Sequence, residues 1–196
     1  MVPNSAPEDL TPQPPAEALT AEYLGIDPAI LDRVDITTEK LPARQRRILA
    51  AITIPQPLEQ VWQVLTDYDR LADFIPNLTT SRRLPHPEGG IRLEQIGAQC
   101  FLNIKFCARV VIDMSESFPK ELSFSLVSGD FKAFDGAWRL SPAEVGGLSA
   151  TRLSYDLVVQ PPRAMPAKLI ERHLCHNLTE NLVAIRQHAI AQFSPA

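Results

Sequence analysis

The run "CFLNIKFCARVVID", residues 100–113, decides how the chain is read. Its even positions, Cys100, Leu102, Ile104, Phe106, Ala108, Val110 and Ile112, are apolar, while Asn103, Lys105, Arg109 and Asp113 stand among the odd ones. A period of two describes a β-strand with one buried and one wetted face, the pattern of an antiparallel sheet. The alternation predicts one long strand over 100–113. On such a strand Cys100 and Cys107 would lie roughly 23 Å apart at about 3.3 Å per residue, too far to bridge. With Cys175, the cysteines read as free thiols of a reducing compartment.

The same period recurs on both sides of this run. "RRILAAITI" (46–54) alternates Ile48, Ala50, Ile52 and Ile54. "GGIRLEQIG" (89–97) puts Ile91, Leu93 and Gln95 on one side, after a shorter run, "TTSRRL" (79–84). Downstream, "ELSFSLV" (121–127), "FKAFDGAWRL" (131–140) and "LSATRLSYDLVVQ" (148–160) each show a single apolar face. Between the first strand and the others, Pro57 opens a helix that carries Leu58, Val61, Trp62 and Leu65. A second short helix carries Leu71, Phe74 and Ile75 and stops at Pro76. After "QPPRAMP" the period becomes helical over roughly 166–192. Ile170, Leu174, Leu178, Asn181, Leu182, Ile185 and Ala189 form one stripe, with Leu169, His173, His176, Glu180 and Val183 opposite.

These elements predict an α+β fold: a curved antiparallel sheet of about seven strands wrapped around a long C-terminal helix, with two short helices after the first strand. One amphipathic helix cannot densely cover so curved a sheet. A hollow of a few hundred Å³ is expected between them, the range of a small-ligand site.

Charge and composition divide the chain at residue 43. Residues 1–43 hold eight acids and two bases, residues 44–196 fifteen acids and seventeen bases. Five of the first fifteen residues are proline, so 1–43 is expected to be a disordered or loosely packed extension, and 44–196 the folded domain. The near-neutral domain shows no basic stripe, which argues against a nucleic-acid partner. A protein partner could use the extension. No basic n-region, apolar run of membrane-spanning length or acid-poor leader is present, so a cytoplasmic location, peripheral to a membrane at most, is expected.

The helix pair in "VWQVLTDYDRLADFIPNL" (61–78), the strand in "SGDFKAFDGAWRL" (128–140) and the approach "LVVQPPRAMPAKLIERHL" (157–174) resemble the START-like helix-grip superfamily. More narrowly they resemble its polyketide cyclase/dehydrase and coenzyme-Q-binding branch. The likeness spans about residues 44–192. It implies the helix-grip fold and an internal cavity; the superfamily includes lipid carriers, quinone binders and aromatase/cyclases.

Asp67, Asp69 and Asp73 crowd one turn and invite a metal or phosphoryl reading. They follow a helix instead of ending a hydrophobic strand, however, and a Ca²⁺ loop would need oxygens where Tyr68, Arg70 and Leu71 stand. Asp67 is expected to cap the second helix and Asp69 to sit in its first turn. His173 and His176 lack a third ligand and a glutamate base for zinc, so solvated or rim histidines are expected there, with no metal and no cofactor. No nucleophile elbow or phosphate loop occurs.

What remains is the inward surface. Leu102, Ile104, Phe106, Phe124, Phe134, Trp138 and Tyr155 are expected to line it, with Leu178, Leu182 and Ile185 from the helix. Asn181 is a polar amide within the apolar stripe; Gln95 and the Tyr155 hydroxyl could pair with it, or the three could hold a ligand's polar end. The loop at 129–131 and the start of the last helix would form the mouth, where Met165 and Leu169 could touch a membrane. The first reading is a non-catalytic binder or carrier of a hydrophobic small molecule: a quinone, isoprenoid or lipid. The alternative is a polyketide aromatase/cyclase-dehydratase, which needs a general acid or base in the cavity; Tyr155 alone is a thin supply. A third is a protein-interaction module using the extension.

Overall fold

In the computed structural model of the chain, residues 33–101 and 104–193 are described, the side chains of 99–106 excepted. Eight strands form one antiparallel sheet: β1 (Val34–Lys40), β2 (Arg46–Ile54), β3 (Leu78–Leu84), β4 (Ile91–Phe101), β5 (Ile104–Ser117), β6 (Glu121–Gly129), β7 (Ala133–Val145) and β8 (Leu148–Gln160). Their order across the sheet is β1-β2-β8-β7-β6-β5-β4-β3. Two short helices, α1 (Leu58–Thr66) and α2 (Leu71–Phe74), carry the chain from β2 to the far edge, and α3 (Ala167–Phe193) closes the fold. This is the α+β architecture the periodicities imply, and the helix-grip fold the resemblance implies.

Three features depart from the sequence reading. The long strand expected over 100–113 is two strands, because β4 ends at Phe101 and pairs back on β5 with Phe101 opposite Ile104. Cys100 therefore faces Lys105 in the register, and the wide separation from Cys107 expected of one extended strand does not hold. Secondly, the sheet gains β1 from the segment assigned to the extension. Val34–Lys40 pairs with β2 over seven residues, and Val34 is buried. The folded part thus starts upstream of residue 44; the remainder of the acidic, proline-rich segment, residues 1–32, lies outside the described residues. Thirdly, Asp67 stands at the N-cap of a 3₁₀ turn (Tyr68–Arg70) yet makes no side-chain capping bond. The aspartates instead meet cations and β3: Arg70 lies 3.9 Å from Asp67 and 3.5 Å from Asp73, and Asp69 accepts the Arg83 amide at 2.8 Å.

The helix is held on the sheet by charge as well as by apolar packing. Arg46 of β2 donates to Glu171 of α3 at 2.5 Å with both side chains nearly buried, and Thr38 of β1 donates to the other carboxylate oxygen. In the β1–β2 connection Ala43 and Arg44 adopt left-handed angles (φ 56° and 64°), and Arg44 donates to the Arg163 and Met165 carbonyls, pinning the approach to α3. The β6–β7 ladder runs only from Glu121↔Arg139 to Phe124↔Gly136. Beyond it Asp135 takes the Leu126 amide at 3.0 Å, so the strands splay beside the concave face. Gly136 is required at this bend: a Cβ there would sit 2.1 Å from the Asp156 carbonyl oxygen and 2.8 Å from the Phe124 ring.

Candidate functional site

The concave face of the sheet does not close on α3. A cavity of about 180 Å³ remains, smaller than the few hundred Å³ expected but larger than the roughly 150 Å³ apolar void that can take up benzene. Its floor is the inward face of β4 and β5, with Leu93, Val110 and Ile112. One wall is aromatic: Phe124 lies 5.7 Å from Tyr155 and 5.6 Å from Phe134, and Tyr155 lies 4.1 Å from Trp138. Leu65, Leu71 and Ile75 of α1, α2 and their flank close another side.

Of the expected lining residues, Gln95, Phe124, Phe134, Trp138, Tyr155, Leu178, Asn181 and Ile185 border this space. Leu182 does not; it is fully buried, in the packed core. Leu102 and the side chains of Ile104 and Phe106 lie outside the described residues. The pairing expected of Asn181 with Gln95 is also absent: Gln95 donates to Ser81 Oγ at 3.3 Å, and Asn181 Oδ1 is buried without a partner among the described residues.

Several lining residues escaped the sequence reading. Tyr68 donates its hydroxyl to Glu116 at 2.7 Å, and burial with that carboxylate beside it raises the phenol well above its ordinary range. Asn77 donates to Glu180 at 2.7 Å from the rim of the cavity. The largest correction concerns the histidines. His173 and His176, expected in solvent or at a rim, are 4% and 9% exposed, and His173 borders the cavity. The α3 helix packs on the sheet and also meets α1 and α2, so its buried surface extends beyond the apolar stripe. Burial, reinforced by His176, holds the His173 pKa below the ordinary imidazole value, so this ring is neutral near pH 7. Glu180, paired with His176 and Asn77, is held below the ordinary carboxylate range. Burial pushes the Cys175 thiol up to about 12, which leaves it a packing group, not a nucleophile.

One turn beyond His173, Asn177 also lines the cavity, its amide nitrogen 3.4 Å from His173 Nε2 and its Oδ1 buried without a partner among the described residues. The polar edge of the cavity is therefore His173, Asn177 and Asn181, spaced at four residues on one face of α3. Leaving a buried acceptor unpaired costs about 1–3 kcal/mol, a local cost that these two oxygens carry. Among the described residues no group of three or more His, Cys, Asp or Glu side chains could hold a metal. Nor, among them, is any helix long and apolar enough to cross a membrane.

With this geometry in view, the likeness to known proteins is specific. The profile of the polyketide cyclase/dehydrase and lipid transport family matches residues 54–183, and the chain belongs to that family. No curated protein matches it. Among solved structures it is similar to a Thermus thermophilus protein (TM-score 0.63, 18% identity, 76% of this chain and 99% of that one). It is also similar to the Zhui aromatase/cyclase of Streptomyces sp. R1128 (0.63, 15%, 76% and 95%). A third is the STAR-related lipid transfer protein of Xanthomonas axonopodis (0.62, 12%, 81% and 94%). At these identities the likeness establishes the fold.

Proposed function

We propose that the protein binds a hydrophobic small molecule of the quinone, isoprenoid or lipid class in the cavity between sheet and α3, without transforming it. The observation that carries this is the cavity itself: a mostly aromatic and aliphatic lining with a few polar groups, His173, Asn177 and Asn181 of α3 among them. Apolar burial at about 25 cal/mol per Å² supplies the affinity, and the polar edge orients one end of the ligand. Trp138, in van der Waals range of Tyr155 and bordering the cavity, is both a wall and an optical probe. Trp138→Ala should weaken binding of a hydrophobic ligand about tenfold or more, read by calorimetry, with the fold retained by circular dichroism; unchanged affinity in a folded variant would remove the cavity from the assignment.

A second reading, cyclisation of a polyketide chain, draws support from His173. A neutral imidazole bordering the same cavity as Tyr155 is the general base that this chemistry needs and that Tyr155 alone could not provide. Incubation with a linear poly-β-keto thioester, followed by NMR, tests it: ring closure lost in His173→Gln would favour catalysis, and recovery of unchanged substrate would exclude it.

A further inference from the structure

We propose that the Tyr155 hydroxyl donates to a carbonyl oxygen of the bound molecule, so that this side chain favours a carbonyl-bearing ligand, such as a quinone, over a hydrocarbon of the same shape. The proposal deepens the binding reading above and rests on it. Tyr155 stands on β8, which lies between β2 and β7 in the sheet. Its neighbour Asp156 faces outward to Arg47 and Arg139, so Tyr155 faces inward, where it borders the cavity and is 6% exposed.

The surroundings of the ring are aromatic. Phe124 lies nearly parallel to it, at an interplanar angle of 17°, and Trp138 is tilted against it at 45°. Among the described residues the hydroxyl has no hydrogen-bond partner, and unlike Asn177 Oδ1 and Asn181 Oδ1 it is not sealed from the accessible surface. For a buried side chain on an interior strand, that surface belongs to the cavity it borders. Other polar groups of the lining are engaged: Tyr68 with Glu116, Asn77 with Glu180 and Gln95 with Ser81. Burial, with Asp156 next along the strand, raises the Tyr155 phenol above its ordinary range, so it keeps the proton that it would donate. A carbonyl oxygen in the cavity accepts that proton's hydrogen bond; a hydrocarbon in the same place covers the hydroxyl and leaves it unpaired.

The test uses the full chain and two probes of one shape, acetophenone and α-methylstyrene, in which a methylene group replaces the carbonyl oxygen. Both are titrated by NMR into the wild type and into Tyr155→Phe, which removes the hydroxyl alone. The variant should bind acetophenone about fivefold more weakly and α-methylstyrene no more weakly than the wild type. In the wild type the infrared carbonyl stretch of bound acetophenone should lie below its value in an apolar solvent, a readout that does not depend on the variant's folding. Acetophenone affinity unchanged in Tyr155→Phe, an equal loss of both probes, or a bound stretch at the apolar-solvent value would overturn the donor assignment and leave the cavity reading standing. Binding of neither probe to the wild type would defeat the cavity reading and the donor assignment with it.

Discussion

At the scale of single residues, the histidines of α3 separate what a helical wheel can read from what it cannot. A stripe of Ile170, Leu178, Leu182 and Ile185 is visible at 100° per residue, and all four are buried. His173 and His176 fall outside that stripe, yet they are interior, because the helix is packed on more than one side. Periodicity reports one buried face; a neighbour contributed from about a hundred residues away leaves no mark on it. Asn181 was legible because it interrupts the stripe. Asn177 was not, since it falls beside Ile170 at the edge of the stripe, where a polar residue attracts no notice.

The buried imidazole has a consequence for stability. Its folded pKa is depressed, so below about pH 6.5, the ordinary imidazole value, the unfolded chain takes up a proton that the folded chain resists. Stability contributed by neutral His173 is fully present above that pH and is lost as pH falls towards the folded pKa. Urea midpoints measured across this window should decline with acidification, and in His173→Gln the slope should be shallower. An identical slope in the variant would show that the ring titrates freely.

At the scale of elements, most of the sheet was readable because each strand alternates cleanly, and β2 and β8 fall where the pattern puts them. The β4–β5 pairing was hidden because apolar residues run through both strands and no glycine, proline or Asp-Gly pair stands where β4 ends and β5 begins. The β1 strand was hidden for another reason. "VDITTEK" offers only Val34 and Ile36 to the interior, as befits an edge strand whose outer side meets water, and its acids match those of the segment before it.

The contacts of β1 tie it to the rest of the fold: Val34 is 4% exposed, Thr38 meets Glu171, and Asp35 meets Arg152. Burial of Val34 alone contributes about 1.5–3 kcal/mol. A chain starting at residue 44 should therefore unfold at lower denaturant than one starting at residue 33, and its uncovered β2 edge should promote self-association, visible by light scattering. Matching midpoints and monodisperse samples of both chains would show β1 to be dispensable.

At the scale of the whole molecule, sheet, helix and cavity form one device. The sheet splays where the β6–β7 ladder ends, α3 is locked on β1 and β2 through Glu171, and the space between is too small for a second layer of side chains. The architecture could be anticipated because many one-faced strands and one long helix bury their apolar sides together by wrapping the sheet around the helix. The contents could not: eight of the expected residues border the cavity, and their side chains describe its walls without naming what they touch.

The most direct measurement is native mass spectrometry of the full chain, purified without detergent, with organic extraction of the same sample. The expected result is an adduct that survives native spraying, with a hydrophobic molecule of matching mass in the extract. A bare protein mass that stays bare after incubation with a quinone, an isoprenoid and a lipid would contradict the reading of the cavity as a binding site.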